Sequence, residues 1–590
     1  MKTYSRKRHI RYIWLFYITL ILFLFLTHRL FKLQACEHEK YLKLADAQHI
    51  GKIDLNPLRG TIYDRNGVSL AFSISLPSIA ANPSQISNHE RTAFYLSLAL
   101  GKKREEILKA LSTRSTFVWV ERKVDPIVAE KIQNLDLPGI FIIEEPTGKR
   151  FHPKTKIAPH VLGYTGIDDQ GLDGVEVYYD KILSGKPGSL EAEMDQIGRM
   201  IPGGNLTYNP PVPGKDLYLT IDETVQYIVE KELAAVVKEY RAAGGSIIVY
   251  DPKTGDIIAL ANYPDYSPEN IGKIPKINMR NKAVCDAYEP GSTFKVILAA
   301  TALDSGKATT TDQFYCGQSI EVGGYSLRNA DDGLSSPTGQ ETIEGIITYS
   351  FNVGAASLGL KVGTKVFYSY IDRLGFGKLT EIDLPGETKG MVIPGSEWQP
   401  INLATVSYGQ GIAVTPIQMV QAIGALANEG VVMKPRVVWK IADHEKGTYQ
   451  MIPPVQVARV FQPKTCHEML KILTNVCENG TAKKAKIPGY IVGGKTGTAN
   501  VVQNGVYVSG KYIASFVGVV PVDDPKLVIM IKVDEPKGVI WGGAVAAPVF
   551  NKVGSQILWR LGIPGSYTHL RAHETPEHLV CRLLLEKKKK

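Results

Sequence analysis

The sequence of 590 residues lacks the cysteine patterns of a metal site or a disulfide framework. Its six cysteines are scattered, no two of them form a Cys-x-x-Cys pair, and none joins a histidine at the spacing of a zinc site. No metal or cofactor is therefore indicated, and side chains are left to carry any chemistry. A disulfide between two of the cysteines stays open, although the spacing does not demand one.

The sequence also lacks a basic surface large enough for a nucleic acid. The formal net charge is +10, but residues 1–11 supply +5 of it and residues 565–590 supply another +3. Only +2 is left for the whole body of the chain. We therefore expect no nucleic-acid partner.

The chain has one long apolar run, and it lies near the start. Residues 12–26 carry no charge and follow five Lys or Arg residues. A cleaved signal peptide would end in small residues, and the lipoprotein-like "LQAC" ending at Cys36 is separated from the run by two basic residues. An uncleaved anchor over residues 12–33 fits the ~20 residues needed to cross a bilayer. The basic residues 1–11 then form a cytoplasmic tail, and the rest lies outside.

Composition divides the remainder into three parts. Residues 34–210 mix helical stretches with short strand-like runs and many Gly or Pro turns, and "NPPVPGKD" forms a linker at their end, because Pro restricts itself and its predecessor. Residues 211–562 begin with a strand that passes into an amphipathic helix. Residues 563–590 are a basic tail of unclear origin, and we exclude them from the fold prediction.

The tripeptide Lys-Thr-Gly occurs twice, and local context separates the two copies. The first, at residues 253–255, follows Asp-Pro and lies between the apolar runs "GGSIIVY" and "DIIALAN". Two short β-rich runs joined by Pro and Gly are typical of a hairpin. We therefore predict a hairpin tip, with Gly255 supplying a permissive backbone and Lys253 pointing to water.

A serine and a lysine stand where they could begin acyl transfer. In "YEPGSTFKVILAATALDSG", Pro290 and Gly291 break the chain, and Ser292 opens an apolar helix with Lys295 one turn along the same face. A serine hydroxyl needs a base to become a good nucleophile, and a partly desolvated lysine near another cation can serve. Ser292 could also be an ordinary helix N-cap, but this is the single Ser-x-x-Lys in the chain.

A second polar element follows in "IITYSFNVGAASLGLKVG". Ser350 and Asn352 form the single Ser-x-Asn of the chain and could simply cap the next helical segment. In the functional interpretation, Ser350 relays a proton between Lys295 and a leaving amine. Asn352 would then hydrogen-bond a substrate amide through both its donor and its acceptor.

The second Lys-Thr-Gly, at residues 495–497, has different flanks. "YIVGGKTGTANVV" is strand-like, and two more strand-like runs follow at the spacing of an antiparallel sheet. Gly497 would let a ligand backbone approach an edge strand closely. Lys495 and Thr496 would offer a cation and a hydroxyl to a carboxylate.

These three elements, in this order, resemble those of the penicillin-binding proteins. Four further segments resemble signatures of the monofunctional class B subgroup: "RGTIYDRNGVSLA", "GLDGVEVYYDKILSGKPG", "SYGQGIAVTPIQM" and "WGGAVAAPVF". The resemblance runs from the anchor to about residue 562 and implies an α+β multi-domain fold. After the single transmembrane helix come an extended, non-catalytic mixed α/β pedestal (34–210) for dimerisation or interaction, and a transpeptidase domain (211–562) with an antiparallel sheet flanked by helices.

The resemblance implies a serine D,D-transpeptidase that cross-links peptidoglycan. Its nucleophile attacks the bond between two terminal D-alanines of a donor stem peptide, and an amine of an acceptor stem then takes the acyl group. The implied catalytic residues are Ser292, Lys295, Ser350, Asn352 and Lys495, and the implied substrate-binding residues are Thr496, Gly497 and Thr498. Lys295 would be the base, and the N–H groups of Ser292 and Thr498 would form the oxyanion hole.

The implied partners are donor and acceptor stem peptides, β-lactams, a membrane glycosyltransferase of the SEDS type and other division proteins. The implied location is the bacterial cytoplasmic (inner) membrane, with the N-terminus inside and the catalytic domain outside. Asn352 ends the middle motif as in division enzymes, whereas the elongation type often carries Asp there. We therefore favour septal wall synthesis, with elongation, sporulation and a catalytically silent scaffold as alternatives.

Two positions depart from the family pattern. Phe351 stands where a small residue is common, so its ring could narrow the groove or affect β-lactam fit, and Glu381 stands where Gly is usual. A soluble β-lactamase would lack the pedestal and anchor. A β-lactam sensor would need several membrane spans.

Overall fold

The computed structural model of the chain describes residues 2–115, 117–144, 148–193, 206–330, 339–503 and 505–566. The basic tail predicted at 563–590 thus lies outside the described residues, except for its first four. The chain divides into two units, Met1–Pro57 with Gly185–Pro213 and Leu58–Ser184 with Gly214–Lys590. The second unit therefore contains both the middle of the predicted pedestal and the predicted catalytic segment.

The first part of the chain alternates helices with short strands. Its elements are α1 (Lys2–Phe31), α2 (His38–His49), β1 (Ile50–Leu55), β2 (Ile62–Tyr63), β3 (Ser69–Ile74), β4 (Pro77–Ala81), α3 (His89–Leu100), α4 (Arg104–Leu111), β5 (Val118–Glu121), α5 (Pro126–Gln133), β6 (Ile140–Glu144), β7 (Lys149–Phe151), α6 (Pro159–Leu162), α7 (Gly174–Tyr178), α8 (Asp180–Leu183), β8 (Gly188–Glu193) and β9 (Leu206–Asn209).

The second part has longer helices and strands. Its elements are β10 (Asp216–Leu219), α9 (Glu223–Glu239), β11 (Gly244–Tyr250), β12 (Ile257–Tyr263), α10 (Lys282–Cys285), α11 (Lys295–Asp304), β13 (Gln313–Cys316), β14 (Ser319–Val322), β15 (Tyr325–Arg328), β16 (Gly339–Thr342), α12 (Ile343–Tyr349), α13 (Asn352–Val362), α14 (Thr364–Arg373), α15 (Pro400–Val406), α16 (Pro416–Ala427), β17 (Val431–Met433), β18 (Val438–Asp443), β19 (Thr448–Met451), β20 (Gln456–Arg459), α17 (Pro463–Glu478), β21 (Gly493–Gln503), β22 (Val506–Val520), β23 (Leu527–Asp534) and α18 (Gly542–Arg560).

The N-terminal unit contains the apolar helix and a small sheet. Among the described residues, one helical stretch is long and apolar enough to cross a bilayer: His9–Cys36, with a mean hydropathy of 2.0 and no burial. The span predicted at 12–33 lies within it. The sheet has the antiparallel order β1-β8-β9.

A buried ion cluster joins two signature segments of the second unit. Both carboxylate oxygens of Glu176 accept from guanidinium groups, one from Arg59 and one from Arg150, each at 2.6 Å. Burial alone would raise the pKa of Glu176, but Arg150 and Arg59 bring it below its ordinary value. A charge so deeply buried needs such pairing, and the pairing fixes α7 against the segment before β2.

The pedestal segment is continuous with later parts of the same unit. A six-stranded sheet has the order β19-β18-β10-β2-β3-β7. Strands from before residue 184 and strands from after residue 214 therefore belong to the same sheet. A smaller sheet, β5-β4-β6, packs with α3, α4 and α5 around its own apolar cluster.

A five-stranded antiparallel sheet forms the centre of the catalytic segment. Its order is β12-β11-β23-β22-β21, which leaves β21 at one edge. Helices α9 and α18 pack together against this sheet, and so do α16 and α17. The strands predicted after residue 490 are confirmed, as is the fold class of a sheet flanked by helices.

The first Lys-Thr-Gly lies at the predicted hairpin tip. Strands β11 and β12 pair antiparallel around it, and Gly255 has a φ of +81°, a left-handed conformation that favours glycine. Lys253 is half exposed, with its ammonium 3.2 Å from Asp524. This copy is a turn.

Candidate active site

Ser292 lies in a tight turn that precedes α11. The 3₁₀ turn Gly291–Phe294 runs directly into the helix, as the sequence predicted for a serine at a helix N-terminus. Gly291 has a φ of +54°, and its N–H donates to the carbonyl of Gly409 at 3.0 Å. A Cβ on Gly291 would lie only 3.0 Å from the carbonyl oxygen of Thr498. The serine turn therefore rests directly on the edge strand β21.

Lys295 is fully buried and binds the middle motif. Its ammonium donates to the Asn352 side-chain oxygen at 2.7 Å and to the backbone carbonyl of Ser350. It also lies 3.4 Å from the Ser350 hydroxyl. The lysine of the first motif and the polar side chains of the second thus contact each other although they lie more than fifty residues apart in sequence.

Ser350 does not cap the helix that follows it. It ends α12 in the left-handed conformation, with a φ of +65°, and α13 begins at Asn352. The cap of α13 comes instead from Asn329, whose side-chain oxygen accepts from the N–H of Val353 at 3.0 Å. A left-handed serine costs ~1–2 kcal/mol relative to glycine. The helix-cap interpretation of Ser350 is therefore wrong, and its hydroxyl is available to the lysines.

The second Lys-Thr-Gly reaches the same hydroxyl from the other side. Lys495 is fully buried on β21, and its ammonium donates to the Ser350 hydroxyl at 2.9 Å. It also lies 3.2 Å from the carbonyl oxygen and 3.3 Å from the hydroxyl of Thr496. Ser350 consequently bridges the two buried lysines, Lys295 and Lys495.

The residues around Lys495 divide between the two faces of β21. Thr496 and Thr498 are two residues apart and both line the cavity, as alternation along a strand requires. Gly497 is buried, and a Cβ there would lie 2.4 Å from the Ser515 hydroxyl and 3.0 Å from the Pro290 carbonyl. The missing side chain of Gly497 therefore makes room for the serine turn rather than for the ligand approach expected from the sequence.

A cavity of about 390 Å³ opens over these residues. Ser292, Ser350, Asn352, Thr496 and Thr498 line it, whereas Lys295 and Lys495 lie beneath its surface. Such a volume suits a peptide end or a small drug. The described residues contain no group of His, Cys, Asp or Glu arranged to hold a metal ion.

The structure shows the surroundings of Phe351 and Glu381, the two residues that depart from the family pattern. Phe351 is 4% exposed and packs with the core, but it also lines the cavity next to Tyr349, whose ring centroid lies 5.9 Å away. Glu381 has a φ of +59°, which explains why glycine is usual at this position. Its carboxylate pairs with Lys434 at 3.0 Å on the surface.

Glu289, three residues before Ser292, was missed by the sequence prediction. Its carboxylate accepts from the N–H of Gly411 at 2.8 Å and from the Tyr507 hydroxyl at 3.2 Å. Burial raises the pKa of Glu289. Tyr408 lines the cavity, and its own burial, together with the nearby charge of Glu289, raises its pKa to about 12. The sequence signal that could have indicated Glu289 was its place in "YEPGS", directly before the serine turn.

A buried lysine beside a serine at a helix start, with a second lysine across a shared hydroxyl, is the arrangement of active-site serine acyltransferases. Comparisons with known proteins agree. The family model described as the penicillin binding protein transpeptidase domain matches residues 245–554, and the penicillin-binding protein dimerisation domain matches residues 54–219.

Individual relatives match along most of the chain. Stage V sporulation protein D of Bacillus subtilis is 36% identical over 92% of this chain and 84% of its own length. Peptidoglycan D,D-transpeptidase FtsI of Escherichia coli is 31% identical over 91% of this chain and 90% of its own length. The crystal structure of penicillin binding protein 3 from Mycobacterium tuberculosis with ampicillin superposes with a TM-score of 0.68 at 25% identity, covering 87% of this chain and 97% of that one.

This chain belongs to the class B penicillin-binding proteins, the serine D,D-transpeptidases of peptidoglycan synthesis. Among the described residues, its N-terminal helical stretch His9–Cys36 is the one that is long and apolar enough to cross a membrane.

Proposed function

We propose that the protein cross-links peptidoglycan stem peptides in the septal wall, through an acyl-enzyme on Ser292. The observation that carries the proposal is the linked set Lys295, Ser350 and Lys495, which is buried directly beneath the cavity that exposes Ser292. Three motifs separated in sequence converge there, and each supplies a group that acyl transfer needs.

The first half of the proposed reaction is acylation. Lys295, in its neutral form, takes the proton of Ser292 as the serine oxygen attacks the carbonyl carbon between the two terminal D-alanines. The C–N bond then breaks, and the leaving amine of D-alanine receives a proton. Ser350 can carry that proton, because its hydroxyl contacts the ammonium groups of both Lys295 and Lys495.

The second half reverses these roles. The amine of an acceptor stem enters where the D-alanine amine left, loses a proton to the same relay, and forms a new amide as the ester bond to Ser292 breaks. In both halves the oxyanion would be held by the N–H groups of Ser292 and Thr498. The loss of one such donor typically costs about 2.7–4 kcal/mol of transition-state stabilisation.

The terminal carboxylate of the donor is assigned to β21. Thr496 and Thr498 line the cavity, and the ammonium of Lys495 lies 3.3 Å from the Thr496 hydroxyl. Lys495 thus polarises Thr496 from beneath while it also orients Ser350. The carboxylate of a β-lactam would occupy the same place.

The septal role is supported by Asn352 and by likeness to FtsI, whereas "YEPGSTFK" resembles the division and sporulation branch together and does not separate these two. Sporulation is a second candidate, because Stage V sporulation protein D shares 36% identity with this chain against 31% for FtsI. Growth of a depletion strain separates the two: a septal enzyme leaves undivided filaments, whereas a sporulation enzyme leaves vegetative division intact and impairs spores.

We further propose that the basic residues 1–11 stay in the cytoplasm and that the catalytic domain lies outside. The pedestal would then contact a membrane glycosyltransferase of the SEDS type and other division proteins. The orientation is tested in intact cells, either by adding protease or by labelling a cysteine introduced into the catalytic domain with a biotin reagent. Label on the catalytic domain only after lysis would contradict it.

The chemistry is tested by fluorescent penicillin on the detergent-solubilised full chain. We expect a stable adduct that mass spectrometry locates on Ser292 and that Ser292→Ala abolishes. Rapid release of the label would indicate a hydrolase, and correctly folded protein without an adduct would indicate a silent scaffold.

A further inference from the structure

The active-site cavity is lined by two lysines that the mechanism does not use. Lys483 and Lys484 both lie on its wall, and no Asp or Glu is among the described residues that line it. The buried ammonium groups of Lys295 and Lys495 lie just below. The cavity therefore offers cations and neutral hydrogen-bond donors to whatever binds, which favours an anionic ligand.

The segment that carries the two lysines is firmly attached. It is the 3₁₀ turn Lys483–Ala485, which follows α17, and the flanking Ala482 and Ala485 are fully buried. Just before it, the N–H of Thr481 donates to the carbonyl of Thr348 at 3.3 Å. Lys483 and Lys484, between the two buried alanines, are themselves exposed and line the cavity.

The position of the turn relates it to the carboxylate-binding strand. The hydroxyl of Thr481 lies 2.9 Å from the hydroxyl of Thr496. Lys483 follows two residues later, so the lysine pair adjoins the place assigned to the terminal carboxylate but is separate from it. A ligand bound at Thr496 would need a second negative group to use these lysines.

The part of the chain that the structure describes offers no acidic partner to the two lysines. Among the described residues, neither Lys483 nor Lys484 forms an ion pair, whereas the neighbouring Lys486 pairs with Glu478 at 2.5 Å. If Lys483 and Lys484 were ordinary surface lysines in contact with water, that would explain their exposure. It would not explain why both line the reaction cavity from which acidic side chains are absent in the described chain.

We propose that Lys483 and Lys484 form an anion subsite for a second carboxylate of the stem peptides, one that is distinct from the terminal carboxylate of D-alanine. This inference rests on the proposed transpeptidase function. The second carboxylate can belong to the donor stem, upstream of the D-alanines, or to the acceptor stem. The chemistry is the same in both cases, and two arms of one experiment separate them.

The donor arm compares acetyl-Glu-Lys-D-Ala-D-Ala with acetyl-Gln-Lys-D-Ala-D-Ala, which differ by one negative charge. The readout is the ratio of the two kcat/KM values for release of D-alanine by the full-length protein. If the donor carboxylate uses the subsite, the wild type prefers the glutamyl peptide about three- to tenfold, the effect of one or two exposed ion pairs. The double variant Lys483→Gln/Lys484→Gln then brings the ratio close to one.

The acceptor arm measures transfer from a preformed acyl-enzyme. A thioester donor acylates Ser292, and D-glutamate or D-glutamine is added as the acceptor amine. If the acceptor carboxylate uses the subsite, the wild type favours D-glutamate by a similar factor and the double variant does not. In either arm, the preference of the wild type falls as salt is raised, because exposed charges are screened.

Lys486→Gln is the matched control, since Lys486 lies in the same segment but is already paired and does not line the cavity. Its ratios should equal those of the wild type. Equal ratios in the wild type and the double variant in both arms overturn the subsite, as do ratios near one in the wild type. Failure of the proposed function looks different, because the wild type itself then takes no penicillin label and releases no D-alanine.

Discussion

The same tripeptide, Lys-Thr-Gly, occupies a surface turn at residues 253–255 and an active-site strand at residues 495–497. Lys253 has half of its side chain exposed and pairs with Asp524, which is equally exposed. Lys495 is fully buried and donates to Ser350. A motif of three residues thus carries no function by itself, and the neighbouring elements decide what each side chain can contact.

The flanking residues account for the difference. Asp-Pro precedes the first copy, and the N–H of Gly255 donates back to the Asp251 carbonyl at 2.9 Å, which closes the hairpin. The second copy lies inside a strand at the sheet edge, where the serine turn packs on one face and the cavity opens on the other. Four experiments test this contrast, from the largest expected effect to the smallest.

Removing Lys295 tests the group of contacts that joins it, through Ser350, to Lys495 of the second Lys-Thr-Gly. We expect Lys295→Ala to lower the rate of penicillin acylation by about 10³-fold, within the usual range for loss of a general base. Stopped-flow fluorescence measures the rate, and a thermal melt shows whether the fold survives. A folded variant that acylates at the rate of the wild type would disconnect Lys295 from the reaction.

Substituting Ser350 separates backbone strain from chemistry. We expect both Ser350→Ala and Ser350→Gly to slow acylation by about 10²-fold, because the hydroxyl between the lysines is lost. The glycine variant should be the more stable of the two by ~1 kcal/mol, since Ser350 has a left-handed backbone. Urea unfolding measures the difference. An active glycine variant would refute the relay.

Matched alanine substitutions of the two glycines sharpen the comparison. In Gly255→Ala, the positive φ and a Cβ 2.1 Å from the Lys434 carbonyl should cost at least ~1–2 kcal/mol of stability without slowing the acylation of folded protein. In Gly497→Ala, the new Cβ pushes on Ser515 and the serine turn, and acylation should fall about 10²-fold, because small displacements of reacting groups are costly. Equal effects on acylation would contradict the assignment of the two copies.

The smallest expected effect is that of Lys253→Ala on stability. Hydrogen bonds from Lys526 and then from Lys253 hold the pKa of Asp524 below its ordinary value. A lowered carboxyl pKa stabilises the fold at neutral pH, and this contribution is lost as the pH falls through the folded pKa. The variant should therefore be less stable by under ~0.5 kcal/mol at pH 7, and this deficit should disappear as the pH falls through the folded pKa of Asp524. A deficit that persists in acid would assign another role to Lys253.

Local patterns were sufficient to predict much of the fold. The long apolar helix, the hairpin at residues 253–255 and the strands after residue 490 follow from apolar runs and from Pro and Gly positions, and these depend on near neighbours in sequence. The convergence of Ser292, Lys295, Ser350 and Lys495 could be expected only through the resemblance to a family.

Other features depend on contacts between distant segments, which no local pattern encodes. Ser350 ends one helix rather than beginning the next, because Asn329 supplies the cap. Gly497 accommodates the serine turn. Glu176 is held by Arg59, which lies before β2, and by Arg150, which lies on β7. The lysines at 483 and 484 look like ordinary surface residues until the fold places them beside the cavity.

The most direct test of the central claim labels Lys495→Ala and Lys253→Ala side by side with fluorescent penicillin, next to wild type and Ser292→Ala. We expect Lys253→Ala to take the label at the rate of the wild type and Lys495→Ala to lose at least about 10²-fold in rate, while both remain folded. Equal losses in the two variants, or full labelling of both, would contradict the account of one structural and one catalytic copy.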